Sequence, residues 1–470
     1  MIAIGFYARK FSSSGISEFF IGGRKMNRFV VALSAVVSGR SAWLLLGVTG
    51  MAYKNGASAV WAVTGYIVVE LLLFIFYATR LRRFSEVYDC ITLPDFFAER
   101  FDDKKGHLRV VLTLVIITFM MSYVAAQFVA GGKAFSASFN LDQNSGILLT
   151  AAIVLIYTMM GGFFAVSLTD MFQAILMIFA LLLLPIIAIM DRGGLVSVLH
   201  QLQSLDLKLI DPFSLSIGAA IGFLGIGFGS PGNPHIIARY MSINDPRQLR
   251  ISAVIGTIWN VLMAWGALFI GLAGRVFFPE VSMLLNGDTE NLYPVLAQHH
   301  LHPLLFGIVI ASIFAAIMST ADSQLLVASS SLVRDLYEKV INRRKIIIQK
   351  KLVLYSRLVV LILVMISIMF GILAQELVFW LVLFAWAGLG AALGPTSILA
   401  LFWPKTTRTG VICGIFVGTF TTIIWYHTPF LKSWIYELVP AFLLSFLTTY
   451  LVSKWTNPPD NADNMFSAMQ

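Results

Sequence analysis

In the stretch AAIMSTADSQLL, residues 315–326, the positions Ala316, Ser319, Thr320 and Ser323 follow the i, i+3, i+4, i+7 spacing that places side chains on one helical face. Three hydroxyls on one face make a patch of hard, neutral oxygen ligands, suited to a small alkali cation that must bind and then leave. Taken singly, a membrane hydroxyl more often bonds back to a carbonyl one turn earlier or joins two helices. Here Asp322 stands beside all three, and a carboxylate inside an apolar span is a functional residue by default. A second acid, Asp170, falls inside the span that holds GGFFAVSLTDMFQ, where Thr169 or Gln173 could hold it if it sat only at the interface. Arg40, in SGRSAW, is a permanent cation deep in the first span. It needs a partner or a water-filled cavity.

These residues must be positioned by membrane helices. The chain of 470 residues is 58% apolar and 12% charged, with a mean hydropathy of +0.83, which fits no soluble class. Apolar runs long enough to cross about 30 Å of hydrocarbon recur along it: 28–53, 57–80, 108–135, 143–160, 162–190, 212–238, 249–278, 304–333, 352–374, 376–403, 409–428 and 430–453. Ahead of them, MIAIGFYA (1–8) is too short to span and reads as the remnant of a peripheral first helix. The runs allow two groups of five, 28–190 and 212–403, followed by two peripheral helices over 409–453 and a polar tail over 454–470 expected to be disordered. The first member of each group is interrupted, by SAVVSGRSAW and by GIGFGSPGNPH, and matched interrupted helices point to an inverted-repeat transporter with its site at the midplane. The loop helix in YDCITLPDFFAERFDDKKG is expected on the surface.

The net charge of +9 follows from loop Lys and Arg collected on one side, so it implies a bilayer rather than a nucleic acid as partner. The opposite side holds only Lys54, Arg192, Lys208 and Lys432. This asymmetry predicts a multi-pass membrane protein with a cytoplasmic C-terminus. Cys90 and Cys413 both fall on the reducing side and are expected to be free. No phosphate loop, His/Cys cluster or nucleophile elbow argues for an enzyme. A channel is disfavoured because the polar residues gather at one depth, and a sensor because no regulatory domain follows Lys454.

The stretches FIGGRKMNRFVVALSA, TLPDFFAERF, GGFFAVSLTDMFQAILMIFAL, NPHIIARYM, AAIMSTADSQLLVASSSLVRDLY and AWAGLGAALGP, in this order over about residues 19–404, resemble the sodium/solute symporter family, closest to its bacterial branch that carries proline. The resemblance implies an all-α, leucine-transporter-type fold with two inverted five-helix repeats and peripheral helices. It also implies sodium-coupled import of a small solute by alternating access. In the family's pattern one sodium lies between carbonyls that match Val37, Arg40 and Ala316 and hydroxyls that match Ser319 and Thr320. A second ion position would involve Asp170, Asp322 and Ser323, with Asp322 standing where a hydroxyl is usual.

For the solute, the resemblance points to Tyr123, to Ser38, Gly39, Arg40 and Ser41 in the first break, and to Ile226, Ser230 and Asn233 in the second. Gly39 replaces an expected aspartate, and Ile226 and Ser230 replace expected aromatics. Proline is therefore one candidate, and an organic anion drawn by Arg40 is another. Asp322 is the expected partner of Arg40, with a solute carboxylate or the aqueous vestibule as alternatives.

Overall fold

The computed structural model describes residues 15–345, 347–374 and 377–469; MIAIGFYA lies outside them. Thirteen helical segments position the site. The first, α1 (Arg28–Ala42), is capped by Asn27, whose side chain accepts hydrogen bonds from the amides of Phe29 and Val30 at 3.0 Å each. It ends at Ser41, whose φ of 48° and ψ of −171° break the helix in mid-membrane. The Ser41 hydroxyl accepts the Trp43 amide at 3.1 Å, alongside the Arg40 and Ser41 carbonyls. A π-turn over Trp43–Val48 leads into α2 (Thr49–Asn55).

Next come α3 (Val60–Leu72), α4 (His107–Phe139) and α5 (Gln143–Asp191). α5 is two spans in one, because Gly162 adopts φ 58° and ψ −169° inside it, where the apolar runs 143–160 and 162–190 meet. The second broken helix runs as α6 (Ile217–Gly225), a 3-10 stretch over Ile226–Gly232, extended Asn233 and α7 (Pro234–Ser242). Pro234 opens α7 at the position where a missing N–H costs nothing. The remainder is α8 (Leu249–Phe277), α9 (Pro303–Ser330), α10 (Gln349–Leu373), α11 (Val378–Phe402), α12 (Arg408–Tyr426) and α13 (Leu438–Lys454).

At the centre, α1 packs against α5, α8 and α9, while the 3-10 stretch of the second broken helix lies between α3 and α11. Close backbone approach fixes that second break. A Cβ on Gly227 would collide with the Gly65 carbonyl of α3, and one on Gly229 would collide with the Trp386 indole of α11. On the outside, Leu114, Ile156, Phe172, Ile186 and Met365 are exposed, as a lipid-facing surface requires.

Three sequence expectations are corrected. The run 430–453 is not one helix: Pro429–Trp434 is separated from α13 because the Ile435 carbonyl is taken by Trp425 Nε1 at 3.0 Å and the Tyr436 hydroxyl donates to the Leu383 carbonyl at 2.6 Å. The loop helix Leu93–Arg100 is buried, with Phe96 and Phe97 at 0% exposure. The tail is ordered through Ala462–Ser467, because Ala462, Met465 and Met469 give it an apolar side to bury.

Candidate ion and solute site

The hydroxyl face of α9 lies against the first break. Thr320 donates to the Ser38 carbonyl at 3.1 Å, Ser38 Oγ reaches the Ser319 carbonyl at 3.1 Å, and Ser319 donates to the Ala316 carbonyl at 3.1 Å. Ala316, Ser319 and Thr320 are thus brought to one place with α1, on which Val37 and Arg40 are also fully buried. The Arg40 carbonyl accepts the Trp43 amide, using one of its two lone pairs. Oxygen from both the break and the hydroxyl face therefore converges between α1 and α9. Among the described residues no group of three or more His, Cys, Asp or Glu side chains could hold a metal.

Asp170 sits next to this cluster. Its Oδ2 accepts from Ser34 at 2.6 Å, from Ser38 at 3.3 Å and from Arg239 Nη2 at 3.1 Å. Arg239, on α7, also donates to Ser34 at 3.0 Å and makes a short hydrogen bond to Ser323. Asp322 Oδ1 accepts from Ser323 at 3.0 Å, while its Oδ2 has no partner. The residues expected to hold a second cation therefore surround a guanidinium. Ser38, expected to face the solute, instead joins Asp170 to α9.

The expected Arg40–Asp322 pair is not formed. Arg40 donates through Nε to Asn260 Oδ1 at 2.8 Å, its Nη2 lies 3.5 Å from Glu70 Oε2, and its guanidinium is 3.5 Å from the centroid of the Tyr66 ring. Asn260 completes the triangle with a short hydrogen bond to Glu70. α1 turns Arg40 toward α3 and α8, and presents Ser34 and Ser38 toward Asp170 and α9.

Around Arg40 several buried polar atoms have no partner, its Nη1, Glu70 Oε1, Gln127 Nε2 and Asn233 Oδ1, while Tyr66 Oη and Ser230 Oγ interact with each other. Buried polar groups are normally satisfied, so such a cluster marks a place built for something else. Gln127 anchors the break through Oε1, which accepts the Ala42 amide at 3.1 Å. Tyr123 is fully buried, interacts with Ser41 and meets His235 edge-on at 5.9 Å. Ile226 contributes its carbonyl to Trp386 Nε1 at 2.8 Å, and Asn233 donates to the Gly229 carbonyl at 2.8 Å. Gly39 has its own explanation: a Cβ there would strike the Tyr66 hydroxyl, so Tyr66 occupies the space that the usual aspartate needs.

From Tyr66 an aromatic column extends outward: Phe379 stacks on Trp43 at 5.8 Å, Trp43 on Tyr66 at 6.5 Å, and Tyr66 on Trp386 at 5.3 Å. A cavity of about 550 Å³, lined by Gly47, Gly50, Phe379, Leu383 and Glu290, opens beyond the column. Glu290 caps α11 by accepting the amides of Val378 and Phe379 at 2.9 and 2.8 Å, and Lys133 neutralises it at 2.6 Å.

Glu70, Arg239, Gln127 and Asn260 are absent from the sequence reading. Glu70 carried a signal, an acid inside the run 57–80, and Arg239 lay one residue beyond the run 212–238. The two amides carried none, because an amide in a span gives no indication of which way it faces.

Two broken helices crossing at mid-membrane, with oxygen ligands and unpartnered polar atoms at the breaks, define a secondary transporter of the leucine-transporter type. The sequence matches the sodium:solute symporter family over residues 19–418, and the chain belongs to that family. It is 37% identical to a sodium/proline symporter of Staphylococcus aureus (strain JH9), over 98% of this chain and 91% of the relative, and the same holds for the relative from strain JH1. Among solved structures it is similar to a substrate-bound, outward-open Na+-coupled sialic acid symporter, with a TM-score of 0.81, 19% identity and coverage of 97% of this chain and 96% of that one. A nucleobase-cation-symport-1 family transporter aligns with a TM-score of 0.58 and 14% identity, covering 96% and 98%. The family is one of transporters, not of enzymes, and this chain is a multi-pass membrane protein within it.

Proposed function

We propose that the chain imports a small amino acid, with proline the first candidate, together with sodium by alternating access. Sodium lies between the Val37, Arg40 and Ala316 carbonyls and the Ser319 and Thr320 hydroxyls. The solute lies at the first break, among Arg40, Ser41, Tyr123, Gln127 and Ser230, where the two broken helices meet. The groups 28–190 and 212–403 are the repeats that rock around it. The C-terminus faces the cytoplasm across the inner (plasma) membrane, as the arginine-rich loops require.

One observation carries this reading: oxygen of the first break and the hydroxyl face of α9 already touch, through Thr320 and the Ser38 carbonyl at 3.1 Å. Ion and solute thus share α1, and each must tighten the other by the same factor. The Arg40–Glu70 pair bears on the choice of solute. With its charge balanced by Glu70 at 3.5 Å, Arg40 offers donors without a net positive field. A zwitterion, whose carboxylate meets Arg40 Nη1 and whose amine meets Glu70 Oε1, fits these unpartnered atoms better than an organic anion does.

The test is uptake of labelled proline, other amino acids and organic anions by proteoliposomes under an imposed sodium gradient. Accumulation that needs the sodium gradient and collapses with a sodium ionophore is expected. Uptake indifferent to sodium, or driven only by a proton gradient, would overturn the coupling; transport of anions alone would overturn the solute class.

A further inference from the structure

Away from the transport site, the helix Ala78–Val87, which follows α3, and the turn Pro246–Gln248 with the start of α8 enclose a cavity of about 590 Å³ lined by Arg80, Arg83, Arg247, Arg250, Phe76 and Phe402. Arg80 is fixed in its wall: it donates to the Leu401 carbonyl at 2.9 Å and lies over the Phe402 ring at 4.6 Å. Among the described residues, Arg83, Arg247 and Arg250 make no ion pair, although like charges gathered in one cavity repel each other. The tail forms one side, with Phe466 beneath Arg80 at 5.4 Å and Met469 in the lining.

The depth of this cavity is informative. Arg80 closes the apolar run 57–80, and Arg250 lies in the first turn of α8. Just inside them, Phe76, Ile251 and Val254 are 57%, 43% and 59% exposed on the lipid-facing surface. Uncompensated guanidinium groups at the level of the headgroups, continuous with an exposed apolar surface, match a molecule with an anionic head and hydrocarbon tails.

We infer that this cavity is a binding site for an anionic phospholipid. Arg83, Arg247 and Arg250 take the phosphate, and the acyl chains run over Phe76 and Val254. Basic pockets between membrane helices bind such headgroups through the charge-assisted, multidentate hydrogen bonds that arginine gives to phosphate. The C-terminal segment 462–469 shares the wall, so the lipid and the tail are physically linked.

The experiment uses the full chain, purified and placed in nanodiscs of phosphatidylcholine containing graded phosphatidylglycerol, with bound lipid counted by native mass spectrometry and thermal unfolding followed in parallel. Phosphatidylglycerol should be retained and should raise the melting temperature. Replacing Arg83, Arg247 and Arg250 by Gln should weaken retention by about fivefold per arginine, roughly a hundredfold together. The matched variant Arg343→Gln, Arg344→Gln, Lys345→Gln, in another basic loop, should retain the lipid as the parent does. Equal loss in both triple variants would reduce the effect to diffuse surface charge and overturn the site. Equal stabilisation by inorganic phosphate would overturn a lipid in favour of a soluble anion. Should the triple variant be unstable, Arg250→Gln alone, at an exposed position, must still show its fivefold loss, and unchanged retention there would also overturn the proposal.

Discussion

Arg40 and Glu70 face each other at 3.5 Å inside the membrane, both essentially without solvent exposure, and Asn260 bonds to both. Neither acid beside the hydroxyl face of α9 is involved: Asp170 is paired with Arg239, and Asp322 is bonded to Ser323. Removing one member of a buried pair strands the other. Arg40→Gln and Glu70→Gln should each destabilise by about 3–5 kcal/mol, and the double variant by less than either. Thermal unfolding in detergent measures this. Rescue of Arg40→Gln by Asp322→Asn would restore the pairing expected from the sequence.

For the ion, Ser319→Ala and Thr320→Ala remove oxygen without disturbing helix propensity. Each should raise the sodium concentration for half-maximal uptake by about tenfold, corresponding to roughly 1.4 kcal/mol for a lost ligand. Sodium activation curves at saturating solute are the measurement.

Arg239 bears on stoichiometry. Its Nη2 sits 3.1 Å from Asp170 and also bonds Ser323, which places a fixed cation where a second sodium would lie. Two like charges at that range repel strongly. Sodium activation should therefore be non-cooperative, with one sodium moved per solute, as reversal potentials would record. Coupling to two sodium ions would require Arg239 to withdraw from Asp170.

Tyr123 interacts with Ser41 at the first break and meets His235 edge-on. Tyr123→Ala should lower solute affinity by about tenfold or more through lost aromatic contact, while sodium binding without solute changes less than about twofold. Intrinsic tryptophan fluorescence, with Trp43 and Trp386 close to the break, can follow both ligands.

Outside the spans, Asp95 of the buried loop helix accepts from Arg109 at 2.6 Å and from Arg334 at 3.4 Å. Burial pushes its carboxyl up, but the guanidinium groups of Arg334 and Arg109 outweigh that and hold it below its ordinary value. A depressed carboxyl contributes stability that is fully present above the unfolded value of about 3.9 and is lost as pH falls through the folded one. Asp95→Asn should lower the melting temperature at pH 7, and the difference from the parent should shrink below about pH 4.

Much of the architecture was legible because bilayer thickness and backbone satisfaction constrain a membrane chain so tightly. The interrupted stretches SAVVSGRSAW and GIGFGSPGNPH announced both breaks, and the boundary between 160 and 162 coincided with Gly162. Pairings inside the bundle were not legible. Which neighbour Arg40 meets depends on the rotation of α1, and residues at 34, 38 and 40 look in different directions from one short segment. Glu70 was masked by the apolar residues around it, and Arg239 by lying just past the end of the run 212–238, on a helix that continues to Ser242. The tail misled because its few apolar residues, Ala462, Met465 and Met469, find a surface to cover that composition cannot reveal.

The backbone collisions that surround the second break also bear on how such a protein diverges. With Gly227 against the Gly65 carbonyl and Gly229 against the Trp386 indole, the path of that segment is held by close packing, and no larger residue fits at either glycine. The scaffold is thus insulated from the identity of the side chains that line the two breaks. Side chains at Ile226, Ser230 or Tyr123 can therefore change while the frame stays in register, so the lining of the breaks is free to vary by single substitutions without rebuilding the helices around it.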